Sequence, residues 1–211
     1  MQTLTRRTLA ATGLTLILTA SAYAQMAPQQ SQQQTVRVRG EIEKVDGSVL
    51  TVKSRDGSSL TVKLADNARI AGIVKASIAD VKQGSYIGIS AMPQPDGSQR
   101  AIHVHIFPEA MRGTSEGVQP WDNRPGSSMI NATTDTTVSG VDGQVLSVKY
   151  KDGEKKVIVP PDAPIVTYVP GSKDDLKPGA KIFIIRANKQ PDGTLEAPSV
   201  NVGKDGLTPP M

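Results

Sequence analysis

The chain has 211 residues, a formal net charge of +4, two histidines and no cysteine. Without cysteine it can form no disulfide, no thiolate nucleophile and no cysteine-ligated metal or iron–sulfur site. Its 24 lysines and arginines nearly balance 20 acidic residues and form no cluster, so the sequence lacks the basic footprint of a nucleic-acid-binding protein. No motif identifies a biochemical activity, but the sequence is informative about export, architecture and an internal repeat.

Residues 1–24 have the features of a cleaved signal peptide. Two arginines at positions 6–7 precede an apolar run at 9–20, and the small-x-small motif AYA at 22–24 predicts cleavage after it. A retained anchor is disfavoured because a membrane-spanning helix needs about 20 apolar residues. Residues 5–9 partly match a twin-arginine signal, and a general secretory signal is the alternative. We expect a periplasmic or secreted protein with no membrane span in its mature chain.

Residues 25–34 (QMAPQQSQQQ) form a glutamine-rich stretch with little apolar surface to bury. Such a segment cannot offset the entropy lost when its backbone is ordered. We predict a disordered tether between the signal peptide and the first folded domain.

The rest of the chain contains one sequence pattern twice. Residues 45–57 (VDGSVLTVKSRDG) and 141–153 (VDGQVLSVKYKDG) are identical at nine of thirteen positions, at an offset of 96. The motif QPDG recurs at 94–97 and 190–193 with the same offset. Two matched blocks in the same order indicate a duplicated unit.

The first copy, residues 35–107, predicts five β-strands. Apolar and charged residues alternate from position 36 onward, which is typical of strands with one buried face. Asp-Gly pairs at 46–47, 56–57 and 96–97 predict hairpin turns. A helical turn at 77–82 is predicted between the third and fourth strands, with Ser77 as its cap. The residues expected to face the core are Val36, Val38, Ile42, Leu50, Val52, Leu60, Val62, Leu64, Ile87, Ile89, Ala91, Ile102, Val104 and Ile106.

The second copy, residues 132–202, repeats this order, with its helical turn at 172–176. Three strands, a short turn and two strands are the order of a five-stranded OB-like barrel. An SH3-like barrel is the main competing interpretation. The predicted fold is therefore all-β, with two tandem OB-like small barrels joined by a linker at 108–131 and followed by a tail at 203–211. Because barrels of this size have modest cores, we expect the two to pack on each other.

A set of turn and core positions in the first copy forms the pattern G-x-I-x-x-V-D-G, L-x-V-x-x-x-D-G and D-x-K-x-G. These positions are Gly40, Ile42, Val45, Asp46, Gly47, Leu50, Val52, Asp56, Gly57, Asp80, Lys82 and Gly84. The pattern resembles exported bacterial OB-like domains of unknown function. The mature chain is also similar to proteobacterial sequences that carry a metal-transporter permease label, although a permease needs several apolar spans. The resemblance implies a fold and transfers no catalytic residue.

His103 and His105 are the only histidines and lie two apart on the fifth predicted strand, so they share one face. They could hold a zinc ion with Glu109, or with Glu116 or Asp122, as a third ligand. The alternative is that both face solvent, because Ile102, Val104 and Ile106 are expected to take the core face. We expect no obligatory cofactor, with zinc at this histidine pair as the exception.

The linker contains the only tryptophan, Trp121. It is predicted either to anchor the linker in the seam between the barrels or to contact a partner directly.

Phe183 and Tyr86 are expected to pack in strand segments, so no aromatic platform for stacking nucleic-acid bases is predicted. No nucleophile motif or phosphate loop accompanies the histidines. We therefore expect a non-enzymatic binding or scaffolding module that acts on an envelope protein or ligand. A metal-binding accessory protein and an enzyme of unknown type are the alternatives.

Overall fold

The structure is a computed structural model that describes residues 34–140 and 143–211. It is built of twelve β-strands and three single-turn 3-10 helices, so the all-β prediction is confirmed. The predicted signal peptide and residues 25–33 of the predicted tether lie outside the described residues. Within the described ranges, no helix is long and apolar enough to cross a membrane.

The strands follow the order predicted from the repeat, with one additional short strand in the linker and one in the second half. They are β1 (Thr35–Asp46), β2 (Val49–Ser54), β3 (Ser59–Lys75), β4 (Tyr86–Pro93), β5 (Gln99–Ile106), β6 (Gly117–Pro120), β7 (Ser128–Gly140), β8 (Gly143–Tyr150), β9 (Gly153–Val159), β10 (Ile165–Pro170), β11 (Lys181–Lys189) and β12 (Leu195–Gly203).

The predicted hairpins form at the Asp-Gly pairs. Gly47 and Gly97 have φ values of +58° and +82°, a conformation that glycine adopts without a steric penalty. The turn at Gly47 joins β1 to β2, which pair antiparallel from Gly40 with Ser54 to Asp46 with Val49. The turn at Gly97 joins β4 to β5 in the same way.

The helical turns predicted after the third strand of each half are 3-10 helices at Ile78–Asp80 and Lys173–Asp175. In the first, the carboxylate of Asp80 accepts hydrogen bonds from the backbone N–H and the hydroxyl of Ser77. In the second, Asp175 accepts from the backbone N–H of Ser172. These side chains satisfy donors that a short helix leaves without a backbone acceptor.

Five strands close into a first hydrogen-bonded ring, which we call ring A: β1, β2, β3, β12 and β11. β1 pairs with β2 and with β11, β2 pairs with β3, and β11 pairs with β12. The ring closes where β12 runs parallel to β3, from Leu195 beside Val62 to Gly203 beside Ile73. Three strands of ring A therefore come from the first half of the chain and two from the second.

Five further strands form a second ring, which we call ring B: β5, β4, β7, β8 and β9. It closes through two parallel residue pairs, Gln99 with Val157 and Arg100 with Ile158. The predicted grouping of residues 35–107 into one barrel and 132–202 into another is corrected by these pairings. Each ring combines three strands of one half with the last two strands of the other half.

The length of β3 explains this exchange of strands. Its first part pairs with β2 in ring A, and its last residues, Ala71–Lys75, pair antiparallel with β10. The chain therefore leaves ring A along β3 and enters ring B at β4. β10 pairs with β3 on one side and runs parallel to β5 on the other. It connects β9 of ring B to β11 of ring A, so the two crossings lie side by side.

The buried cores agree with this arrangement. The core of ring A joins Ile42, Leu50 and Val62 to Ile182 and Val200. The core of ring B joins residues of β4 and β5 to residues of β7, β8 and β9.

A third cluster between the rings contains Ile73, Val166, Phe183 and Met211. We call the region around this third cluster the inter-ring layer. The part of the layer that bears on function contains the side chains of Arg37, Arg39, His103, His105, Phe107, Trp121, Asp122, Asn131, Tyr168, Phe183, Arg186 and Met211.

Candidate functional site

The inter-ring layer lines a partly open cavity of about 250 Å³. Its walls come from both rings, from the linker and from β10, so no single predicted barrel could have formed it. Five aromatic rings line it, and they are the side chains of His105, Phe107, Trp121, Tyr168 and Phe183.

These rings contact one another in ordered geometries. Phe107 and Tyr168 stack with their centroids 5.7 Å apart and their planes 8° apart. His105 meets the edge or face of both at 4.7 and 6.0 Å. Trp121 meets Phe183 at 6.4 Å and 77°. Separations and angles of this kind are favourable for aromatic pairs, so the walls are held in place before any ligand arrives.

Strand pairing explains why these residues meet. β10 runs parallel to β5 with Val166 beside His105, which brings Tyr168 next to Phe107. On β4, the residue opposite His105 is Gly88. A Cβ atom at Gly88 would lie 2.1 Å from Nε2 of His105, so only glycine leaves room for the imidazole there.

The linker is fastened over the cavity by β1. Both carboxylate oxygens of Asp122 accept hydrogen bonds from the guanidinium of Arg39, at 2.7 and 2.9 Å. The Cζ atom of Arg37 lies 4.1 Å from the centroid of Trp121, in a cation–π contact. Hydrogen bonds from Arg39 hold the pKa of Asp122 below its usual value. These contacts fix the position of the indole at the cavity wall.

Three buried polar atoms of residues in the wall have no hydrogen-bonding partner among the described residues. They are Nδ1 of His105, Oδ1 of Asn131 and Nε1 of Trp121. Asn131 is 5% exposed, and its Nδ2 atom donates to the carbonyl oxygen of Thr114 at 3.1 Å, so only its oxygen is unpaired. Leaving a buried polar atom unpaired costs about 1–3 kcal/mol. The three atoms are buried behind the surface of the wall, so a ligand in the cavity would reach them only after neighbouring side chains shift.

The charged side chains of the cavity wall are both cationic. Arg37 and Arg186 line it, and the residues of the wall include no aspartate or glutamate. His105 is neutral, because burial and the neighbouring His103 hold its pKa well below its usual value. The site therefore has an apolar, aromatic interior and a positive potential.

The expectation that His103 and His105 face solvent is wrong. They are 1% and 4% exposed. Val104 does face the core of ring B, as predicted, but the opposite face of β5 is covered by the inter-ring layer. Burial, with a smaller contribution from Arg39, lowers the pKa of His103 to about 4. Nδ1 of His103 lies 3.0 Å from Nδ2 of Asn123, which donates to it.

The candidate zinc ligands are only partly brought together. The rings of His103 and His105 stack with centroids 5.7 Å apart. Glu109 is exposed and is bound by Arg112, with Nε to Oε1 at 2.5 Å. Glu116 accepts a hydrogen bond from the backbone N–H of Lys151, and Asp122 is held by Arg39. In the described ranges, no three His, Asp or Glu side chains are grouped so that they could share a metal ion.

Trp121 lies between the two rings, which is the seam position that one of the two predictions gave it. It packs against the cluster of Ile73, Val166, Phe183 and Met211 and remains partly exposed. Because it also lines the cavity, it could contact a ligand directly.

Sequence reasoning missed the other residues of the site. It expected no aromatic platform, whereas Phe107, Tyr168 and Phe183 gather around one cavity. They lie far apart in the sequence and are joined by the exchange of strands, so no local pattern could have grouped them. A scan against protein-family models and searches of curated proteins and of solved structures found no match to this chain. Its function is therefore inferred from the geometry of the site.

Proposed function

We propose that the protein is an exported, non-enzymatic binding module that holds a small organic ligand in the cavity between ring A and ring B. The observation that carries this proposal is one cavity of about 250 Å³ bounded by five aromatic side chains. Three buried polar atoms without protein partners belong to the same wall. Export is supported by the N-terminal sequence pattern alone.

The size of the cavity fits a ligand of one or two rings. Protein cores are close-packed, and an engineered apolar cavity of about 150 Å³ is enough to bind benzene. A cavity of about 250 Å³ is larger than that. Aromatic walls that are already in contact with one another lose little freedom when a flat molecule enters.

The electrostatics favour binding over catalysis. A general base works best when its pKa lies near the operating pH. The pKa of His105 is held well below its usual value by burial, so the imidazole stays neutral and is a poor proton acceptor. A role in recognition suits such a group better, since a neutral imidazole offers one hydrogen-bond donor and one acceptor.

Within this proposal, we interpret the two halves as copies of one OB-like unit that have exchanged their last two strands. Nine identical residues among thirteen at an offset of 96 support this interpretation. The order of three strands, a 3-10 turn and two strands in each half supports it as well. An additional strand, β10, separates the third strand and the turn in the second half.

The proposal can be tested with indole as a neutral two-ring probe. Trp121 is the only tryptophan, so a ¹⁵N-labelled sample gives one indole N–H signal from the protein. We expect this signal to shift saturably as indole is added. Tyr168→Ala should weaken binding, because it removes the ring that stacks on Phe107. Tyr150→Ala is the matched control on β8 and should not weaken it. The absence of any shift with indole and with its charged analogues indole-3-acetate and tryptamine, each at millimolar concentration, would refute the proposal.

A further inference from the structure

We infer that the ligand of this cavity is a planar aromatic carboxylate, with Arg186 as the anchor for its carboxylate group. The inference rests on the proposed function and specifies the class of ligand.

The charge of the wall disfavours a cationic ligand. Aromatic boxes can bind ammonium groups through cation–π contacts. Here, however, the guanidinium of Arg37 already occupies the face of Trp121 at 4.1 Å. A second guanidinium, that of Arg186, lines the same cavity, and no aspartate or glutamate side chain lies in the wall. A cation would therefore be repelled, and an anion would be attracted.

The two arginines are not equally available. Arg37 is engaged with Trp121, and its Nη1 atom lies 3.6 Å from the carboxylate of Asp122. Arg186 lies on β11, is exposed, and has no ion pair or side-chain hydrogen bond within the described part of the chain. A guanidinium binds a carboxylate through two parallel hydrogen bonds, which gives both strength and orientation. Arg186 is therefore the cation that remains to bind an anionic ligand.

The unpaired atoms suggest what else the ligand carries. Nε1 of Trp121 can only donate a hydrogen bond, and Oδ1 of Asn131 can only accept one. A ligand that reaches both atoms, after the neighbouring side chains shift, must have an acceptor oxygen and a ring N–H or O–H donor. An indole or hydroxyphenyl carboxylate has these groups on a flat apolar frame. Such a molecule also covers the aromatic walls with its ring faces.

Three probes with the same ring separate the charge from the shape. Indole-3-acetate is the anion, indole the neutral probe and tryptamine the cation. We would titrate each into the mature protein at pH 7 and follow the indole N–H signal of Trp121. We expect indole-3-acetate to bind at least about tenfold more tightly than indole, because a charge-assisted hydrogen bond is about twice as strong as a neutral one. Tryptamine should bind most weakly.

Arg186→Gln tests the anchor. It should weaken the binding of indole-3-acetate about tenfold and leave the affinity for indole unchanged. Lys189→Gln removes an exposed cation from the same strand and is the matched control, with no expected effect on either probe. A circular-dichroism melt of each variant confirms that the fold is intact.

The outcomes distinguish this inference from the proposed function. Equal affinities for the anion and the neutral probe, or tighter binding of tryptamine, would overturn the inference while the binding function stands. A preference for the anion that survives in Arg186→Gln would overturn the role of Arg186. If none of the three probes shifts the Trp121 signal, the proposed function fails together with the inference.

Discussion

The interiors of the two rings and the inter-ring layer are built from different kinds of side chain. Aliphatic residues such as Ile42, Leu50, Ile89 and Leu146 fill the interiors and are completely buried. The inter-ring layer contains both histidines, the tryptophan and several unpaired polar atoms. Burial of apolar surface is the dominant stabilising term in folding, at about 25 cal/mol per Å². The interiors therefore supply most of the stability. The histidines and the unpaired polar atoms of the layer cost free energy when they are buried, so stability does not explain their presence.

This difference shows how the exchange of strands serves the site. Two independent barrels would be joined by one covalent linker, and the barrels could move apart at their interface. In the observed arrangement, β3 and β10 run between the rings and pair with each other. The layer is thus framed by backbone hydrogen bonds as well as by side chains. Polar atoms without partners can persist there because the surrounding rings determine the positions of the walls.

The largest predicted difference between exchanged strands and separate barrels concerns cleavage of the chain between the halves. Residues 124–126, in the connection between β6 and β7, are exposed, so a protease site can be inserted after Arg124. Both rings contain strands from each fragment, and we therefore expect the cleaved protein to remain one species in size-exclusion chromatography. The fragments should separate only in denaturant.

Either fragment prepared alone is expected to lack cooperative unfolding, because neither contains the strands of a complete ring. The intact protein without the inserted site is the control for protease damage elsewhere. Two peaks after cleavage under native conditions, each with its own melting transition, would mean that the halves are separate barrels after all.

The sequence predicted the individual strands and turns well, and their grouping poorly. Alternation at Leu50 and Val52, or at Ile87 and Ile89, reports which face of a strand is buried. It does not report which strand lies beside it. The last residues of β3 have the same apolar character whether they close a barrel of their own or cross to pair with β10. The connection between rings was therefore not readable from local pattern.

The same limit explains the error at the histidines. Alternation correctly placed Val104 toward the core of ring B, and it placed His103 and His105 on the opposite face. Whether that face is covered depends on β10 and the linker, which are distant in sequence. Turn signals were more reliable, because an Asp-Gly pair acts through its own backbone conformation and needs no distant partner.

Acidification is expected to weaken the layer before it affects the ring interiors. Burial lowers the pKa of His103 to about 4 and holds that of His105 well below its usual value. In the unfolded chain both titrate near 6.5. As the pH falls below 6.5, the unfolded state binds protons that the folded state does not, so the free energy of unfolding decreases. The loss should approach about 1.4 kcal/mol per pH unit for each histidine.

Urea unfolding between pH 7 and pH 5 measures this slope. Carboxylates with lowered pKa values, such as Asp122, are deprotonated in both the folded and the unfolded state in that range, so they do not contribute to the slope. A His103→Gln variant is the control, because it should show a shallower dependence on pH whatever its stability at pH 7. If the wild-type stability is flat from pH 7 to pH 5, the histidines are not buried in the neutral form.

The smallest predicted effect concerns the contact between Arg37 and Trp121. An exposed cation–π contact contributes about 0.5–1 kcal/mol. Arg37→Gln removes it, and with it the 3.6 Å ion pair to Asp122. We expect a loss of unfolding free energy of about 1 kcal/mol or less, because partly exposed pairs of this kind are screened by solvent.

The fluorescence of the single tryptophan separates this effect on the layer from an effect on the rings. Arg37→Gln should change the emission wavelength and the quencher access of Trp121, while far-ultraviolet circular dichroism stays unchanged. Lys63→Gln, an exposed change on β3, should alter neither property. A loss of several kcal/mol in Arg37→Gln would show that the layer supports the ring interiors. In that case the division between stability in the rings and binding in the layer would have to be abandoned.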